Sequence, residues 1–301
     1  MDMKQINEHC YYFSSSVNIG YVHEGDQGLI IDAGIDQSAI RKVVRQLEDH
    51  HLPITHLFIT HAHADHYGGA SYLRKKYGVK IIAPEMESAI LNYPILEPIY
   101  MFSGNEPIEE LRNKFLEGPP IDVDEVVKEG RFLEDNFDLE LIATPGHSYY
   151  QLCVATHGVL FAADTYFGKK EIEKHKIPYI TCATKTIESL NKLLDYSFNG
   201  AVPGHGEYEE NYKETVRYNI EYHRKLLHMI YEIVQASSTN ISHEELVREM
   251  CVKRKVKADQ LSMFLLFRTA VTSYLTYWIY RGDIVHSIQQ FRWVFHIKEE
   301  G

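Results

Sequence analysis

Thr60-His61-Ala62-His63-Ala64-Asp65-His66 places three imidazoles and a carboxylate within six residues, directly behind the apolar run Leu57-Phe58-Ile59. Imidazole nitrogen and carboxylate oxygen are ligands suited to zinc, and equally to iron or manganese; a catalytic site differs from a structural one by keeping a coordination position open. On an extended backbone side chains alternate with period two, so His61 and His63 point to one side and can share an ion. The turn into the next helix redirects Asp65 and His66. An isolated histidine is usually a surface or satisfied core residue, and His9, His23, His50, His157 and His228 are read that way.

Three further signals follow in chain order: Thr144-Pro145-Gly146-His147, Ala162-Ala163-Asp164 and Pro203-Gly204-His205-Gly206. Each puts a metal-capable residue at the end of a strand-like run, and glycine beside histidine lets the backbone come close to an ion. Cys10, Cys153, Cys182 and Cys251 lie far apart without a CxxC pair, so neither a disulfide framework nor a thiolate site is indicated.

The elements that must position these residues can be read from periodicity. Strand-like CYYFSSS, GYVHEG and GLIIDAG precede an amphipathic helix over 36–50. THLFIT is a buried strand, a helix covers about 67–77, and VKIIAP is a strand closed by proline. This β–α–β rhythm implies a layered α/β domain. Prolines at 94, 98, 107, 119 and 120 interrupt the region 85–130, which carries Tyr93, Tyr100, Met101 and Phe102 and is expected to be a flap-like insertion. Strands return at LELIATPG, YQLCVAT and GVLFAAD, then a helix over 184–195 and the short run GAVPGHG.

Beyond about residue 209 the pattern becomes helical, with Tyr222, Leu226, Met229, Ile230 and Ile233 at helical spacing. Ser242 and Glu245 fit a capping box, an apolar helix covers about 258–280, and DIVHSIQQFRWVFHI has the form of a hairpin. The expected division is a catalytic domain over 1–208 and a helical, winged-helix-like domain over 209–301.

A chain of 301 residues with 45% hydrophobic and 24% charged residues is long enough for one large domain and a small one. Its formal charge of -11 repels phosphate backbones, so nucleic acid is not an expected partner. No stretch approaches the roughly 18 to 20 apolar residues that span a bilayer, and the N-terminus has no apolar run behind a basic segment. No membrane association and a cytoplasmic location are expected.

Taken in order, the motifs resemble the metallo-β-lactamase superfamily, whose pattern is HxHxDH, a downstream His, a bridging Asp and a final His; the resemblance covers roughly residues 10–208. It implies a four-layer αββα sandwich with two divalent metal ions, zinc first, iron or manganese as alternatives. It assigns His61, His63 and His147 to one ion, Asp65, His66 and His205 to the other, and Asp164 to both. True metallo-β-lactamases typically carry cysteine or serine at the bridging position, so antibiotic hydrolysis is not implied. What remains is similar to the glyoxalase II-like branch, which includes hydrolases of acylglutathione thioesters, lactones and other carboxylic or phosphoric esters. The segment after Asp164, DTYFGKK, is loosely similar to glyoxalase II but lacks its glycine, cysteine and arginine run, which leaves glutathione specificity open.

Two divalent ions less two carboxylates leave a positive centre, so a water bridging the ions should be acidified toward hydroxide, the expected nucleophile. Asp65 is the expected proton holder, and the substrate is expected to be a small anionic acyl compound. Tyr149, Tyr150 and Tyr166 lie beside ligand motifs; Tyr149 and Tyr166 are the candidates to hydrogen-bond a developing oxyanion, with core packing as the alternative. Competing functions are a metal-dependent ribonuclease or phosphodiesterase, given the basic run Lys253-Arg254-Lys255-Val256-Lys257, a mono-iron persulfide dioxygenase, and a non-catalytic metal-binding regulator. The long apolar C-terminal helix is also a candidate homodimer interface.

Overall fold

The computed structural model describes residues 1–298. Seven strands form the first sheet in chain order: β1 (Asp2–Gln5), β2 (Cys10–Ser14), β3 (Ile19–Glu24), β4 (Gln27–Ile31), β5 (His56–Phe58), β6 (Lys80–Pro84) and β7 (Glu125–Val127). Pairing is antiparallel up to β4 and parallel from there on. The second sheet holds β8 (Gly130–Glu134), β9 (Phe137–Ala143), β10 (Leu152–Thr156), β11 (Val159–Ala163) and β12 (Gly200–Pro203), in the order β12-β11-β10-β9-β8. Strands covered on both faces need apolar residues at every position, which is why LII, IIAP and VLFAA are continuous runs rather than alternating ones.

The inner faces of the two sheets meet through Tyr12, Val22, Phe58 and Ile82 on one side and Leu141, Val154 and Phe161 on the other. Helices α1 (Gln37–Asp49), α2 (Ala64–Tyr67) and α3 (Ala70–Tyr77) cover the outer face of the first sheet through Ile40, Val43, Leu47 and Leu73. Asp36 starts α1 by accepting from the backbone N–H groups of Ser38 and Ala39. The helix expected over about 67–77 is α3, and the stretch before it, expected to be a turn, forms the short α2; between them Gly68 and Gly69 press against other chain segments, and a Cβ on Gly68 would lie 2.0 Å from the Ile35 carbonyl oxygen.

Within 85–130 the chain forms α4 (Glu85–Asn92), α5 (Leu96–Met101) and one 3-10 turn before ending as β7 on the edge of the first sheet. Met101, Leu111 and Leu116 make a small core with Leu265, from the C-terminal region. After β11 come α6 (Lys169–His175) and α7 (Ala183–Asp195); Leu190 and Leu193 of α7 lie on the outer face of the second sheet and complete the αββα layering.

The C-terminal elements are α8 (Tyr212–Ala236), β13 (Ile241–Ser242), α9 (His243–Arg254), α10 (Leu261–Arg281) and the hairpin β14 (Ile284–Gln289) and β15 (Arg292–Ile297). Their three strands pair in the order β13-β15-β14. The capping box at Ser242 and Glu245 is formed as its spacing predicts. Among the described residues no helix is long and apolar enough to cross a membrane, and all four cysteines are free.

Helix α8 serves two cores. Tyr212 and Val216 pack under the second sheet, whereas Leu226 and Ile230 pack with Leu246, Val271 and Tyr274. Between these stretches the fully buried Asn219 accepts from Phe167 N (3.0 Å) and donates to Phe167 O (2.8 Å), tying α8 to the loop that follows β11. Asn219→Ala is expected to cost about 1–3 kcal/mol by stranding those backbone groups. Urea unfolding measures this, and an unchanged midpoint would show that the loop does not depend on α8.

Candidate metal centre

Every sequence-predicted ligand sits just past a strand end, and all of those ends lie at one edge of the sandwich. The turn Thr60–His66 follows β5; the loop with His147 joins β9 to β10; Asp164 follows β11; His205 follows β12. Backbone bonds tie these loops together, Leu152 N to Thr60 O at 3.1 Å and Gly204 N to Ala163 O at 2.6 Å. Ala163 holds a positive φ of 45°, and a shift in strand register there turns Asp164 out of the sheet. Gly204 has a different reason to be glycine: a Cβ would lie 1.9 Å from Asp164 Oδ1.

The seven side chains converge. His63 Nδ1 lies 3.0 Å from His61 Nε2 and 2.9 Å from His147 Nε2. His205 Nε2 lies 3.8 Å from Asp65 Oδ2, and Asp65, His66 and His205 form a second group whose ligand atoms fall within 4.8 Å of one another. The Asp164 carboxylate reaches both groups: Oδ1 is 3.4 Å from His66 Nε2, and Oδ2 is 3.2 Å from His147 Nε2 and 3.4 Å from His205 Nε2.

The outward nitrogen of each ring decides what the inward one can be. His147 Nδ1 faces the Tyr179 carbonyl at 3.0 Å and His205 Nδ1 faces the Ser16 carbonyl at 2.6 Å; carbonyls only accept, so these nitrogens carry the protons. His66 Nδ1 donates to Asp32 Oδ2 at 2.8 Å. The Thr60 hydroxyl donates to the same carboxylate at 2.9 Å, which leaves its oxygen to accept from His61 Nδ1 at 3.0 Å. The inward nitrogens of His61, His66, His147 and His205 are therefore lone-pair acceptors, and they face one another and two carboxylates. Among the described residues His66 Nε2 and Asp164 Oδ1 have no hydrogen-bond partner. Acceptors aimed at acceptors in a buried pocket are relieved by a cation, and the donor set fits divalent zinc, iron or manganese.

Electrostatics point the same way. Burial, aided by neighbouring imidazoles, pushes His61 well below the ordinary histidine range, and burial takes His63 down to about 4 and His147 to about 3. At His66 and His205 burial acts in the same sense but is outweighed by carboxylates, Asp164 first, so both are raised. Asp164 opposes its own burial through His205, His66 and His147, which hold it well below the usual range. A field that draws a proton to His66 and His205 draws a metal ion to the same nitrogens.

Sequence reasoning missed three residues that hold this geometry. Asp32, at the end of GLIIDAG, is 3% exposed, has a positive φ of 63° and orients His66 directly and His61 through Thr60. Glu87 is buried in α4, where it accepts from Ala62 N at 2.9 Å, from Ser148 Oγ at 2.8 Å and from Tyr150 N at 2.9 Å, clamping the His61–His63 turn to the His147 loop. Asn18 donates to Pro203 O at 2.9 Å and Gly206 O at 2.7 Å, fixing the loop of His205. Of these only Asp32 had a local signal, an acid closing an apolar strand before glycine.

The two tyrosines expected at the substrate are placed elsewhere. Tyr166 is fully buried with Cys153, Leu190 and Tyr212 in the layer outside the second sheet, because the turn that brings Asp164 inward sends the residue two positions on outward. Tyr149 is 53% exposed and does not line the cavity over the metal ligands. That cavity, about 450 Å³, is instead walled by Tyr179, Phe115, Leu116, Phe167, Met263 and Leu266, with His175 beside His205.

Residues 14–222 match the family model described as the metallo-beta-lactamase superfamily, well over half of the chain. The chain belongs to the metallo-β-lactamase superfamily. A metallo-beta-lactamase family protein from Thermus thermophilus superposes with a TM-score of 0.73 at 16% identity, covering 98% of this chain and 100% of that one. A beta-lactamase domain protein from Burkholderia ambifaria gives 0.72 at 18% identity, covering 99% and 94%. These similarities establish the metallo-β-lactamase fold, and they extend through the C-terminal elements.

Among curated superfamily relatives, a hydroxyacylglutathione hydrolase of Bradyrhizobium sp. (strain ORS 278) is 29% identical over 156 residues, 51% of this chain and 49% of that protein. A beta-lactamase-like protein 2 homolog of Caenorhabditis elegans is 26% identical over 250 residues, covering 78% and 68%. The chain spans about half the length of the hydroxyacylglutathione hydrolases it matches.

Partners that orient metal-binding imidazoles typically contribute 10- to 100-fold in affinity. Asp32→Asn keeps the shape at that position but removes the charge that faces His66 Nδ1, and is expected to weaken divalent-ion binding about 10- to 100-fold. Competition with a chromophoric chelator reads this directly. Wild-type affinity in the variant would remove Asp32 from the metal centre's support.

Proposed function

We propose that the protein is a dinuclear metallo-hydrolase that cleaves a thioester, a lactone or another carboxylic ester, with zinc as the preferred ion and iron or manganese as alternatives. The observation that carries this is Asp164, one carboxylate within 3.2 to 3.4 Å of imidazoles belonging to both three-residue groups. In this reading His61, His63 and His147 hold one ion, Asp65, His66 and His205 the other, and Asp164 joins them. Ions held there supply Lewis acidity and a water acidified for attack near neutral pH.

The chain's own residues do the rest. Asp65 is partly exposed and lines both the metal cavity and a wider cleft beside it, so it is placed to take up a proton and pass it to solvent. His175, the Phe167 ring and the Tyr179 ring shield the centre from bulk water. Residues 1–208 supply the ligands, and 209–301 close the cavity through Gln260, Ser262, Met263 and Leu266. The ester and thioester class is supported by the relatives named hydroxyacylglutathione hydrolase; the carboxylate at position 164, where a β-lactamase would carry cysteine or serine, speaks against antibiotics. Four free cysteines suit a reducing cytoplasm.

Metal analysis alongside a hydrolysis panel of thioester, lactone, carboxylic ester, β-lactam, phosphodiester and RNA substrates tests the proposal. The expected result is about two ions per chain, turnover confined to acyl substrates, and loss of turnover in His63→Ala. Activity on RNA alone, or activity surviving His63→Ala, would overturn it.

A further inference from the structure

We infer that Glu97 is a polar recognition point in the cavity over the metal ligands, where it accepts a hydrogen bond from a hydroxyl or amide N–H carried by the bound acyl group. The inference rests on the ester and thioester reading above and adds the substrate feature that the metal ligands do not specify.

Glu97 lies on α5, far in sequence from every ligand motif, and lines the same 450 Å³ cavity as His63, Asp65 and His147. It is 3% exposed, and its Oε2 is buried with no hydrogen-bond partner among the described residues. The ionisable groups that act on it are Asp65 and Glu87, both of its own sign, and with burial as the main cause they hold its carboxyl well above the usual range. Beyond the ligand loops the same cavity is lined by Phe115 and Leu116 from the inserted region and by Gln260, Ser262, Met263 and Leu266 from the C-terminal region. The phenols of Tyr67, Tyr100 and Tyr179 also lie within electrostatic reach of it.

A buried carboxyl with no partner destabilises the fold, and an apolar side chain of similar size would remove that cost. Glu97 holds no chain segment in place, in contrast to Glu87, which makes three hydrogen bonds. The arrangement makes sense if the missing partner arrives with the ligand. A hydroxyl or amide N–H can donate to the carboxyl whether it is ionised or protonated, so the pairing does not depend on its charge. An acyl chain without such a group would leave Glu97 unpaired in the complex and bind less well, which is how buried polar groups discriminate between analogues.

The test uses the metal-loaded protein as wild type, Glu97→Leu and Glu97→Gln, with pairs of acyl thioesters and methyl esters that differ only by a hydroxyl on the acyl chain. Wild type should favour the hydroxyacyl member by about tenfold or more in kcat/KM. Glu97→Leu should lose that preference through the hydroxyacyl substrate alone, with Tm unchanged or raised, and Glu97→Gln should retain part of it. No preference in wild type, an equal fall on both substrates, or a lowered Tm in Glu97→Leu would overturn the inference. If wild type cleaves no acyl substrate, the functional reading fails by itself, and calorimetry with the free hydroxy acid and its deoxy counterpart still decides on Glu97. A preference that Glu97→Leu abolishes supports the inference; equal affinities overturn it.

Discussion

Lone pairs pointed at lone pairs are the constraint around which this protein is built. Four imidazole nitrogens, identified as acceptors by what their opposite nitrogens donate to, share a buried pocket with His63 Nδ1 and the carboxylates of Asp65 and Asp164. Without a cation each unpaired acceptor costs about 1–3 kcal/mol, so rings free to turn would rotate to find donors. They are not free. Asp32, Thr60 and the carbonyls of Tyr179 and Ser16 hold the outward nitrogens, and that fixes the inward ones.

The sandwich provides what such a centre needs from a scaffold, four strand ends at one edge with little freedom to move. Strands buried on both faces are rigid along their length, and the loops they release are tied to one another by backbone bonds and by Asn18 and Glu87. Close approach is obtained by omission: Gly204 leaves the space that the Asp164 carboxylate fills, and Gly68 lets α2 lie against the chain at Ile35. The metal centre is thus set by backbone geometry, and the side chains need only fill the rotamers it allows.

The elements outside the sandwich determine what can reach the centre. The inserted region contributes Glu97, Phe115 and Leu116 to the cavity and the C-terminal region contributes Gln260, Ser262, Met263 and Leu266, while Met101, Leu111 and Leu265 hold the two regions together. Asn219 couples the same C-terminal helices back to the loop of Asp164. One helix, α8, therefore links the wall of the cavity to the Asp164 loop beneath it.

Much of this was determined by the sequence alone. The candidate ligand set was legible because its residues cluster at strand ends with spacing that few other roles explain, and the α/β order and the capped helix α9 were legible because hydrophobic periodicity and capping chemistry are local. The short α2 over 64–67 was not, since the Gly68 that follows it packs against Ile35, a contact across the chain. Nor were Asp32, Glu87 and Glu97, whose roles depend on partners 25 or more residues away or, for Glu97, on having none. Tyr166 shows the limit most plainly: nearness in sequence to Asp164 suggested the cavity, but the turn after β11 sends the two side chains to opposite sides of the sheet. Local spacing encodes which atoms are available for chemistry. Only the tertiary structure decides which of them face each other, because the hydrogen bonds and excluded volumes that aim a side chain come from segments that are distant in the chain.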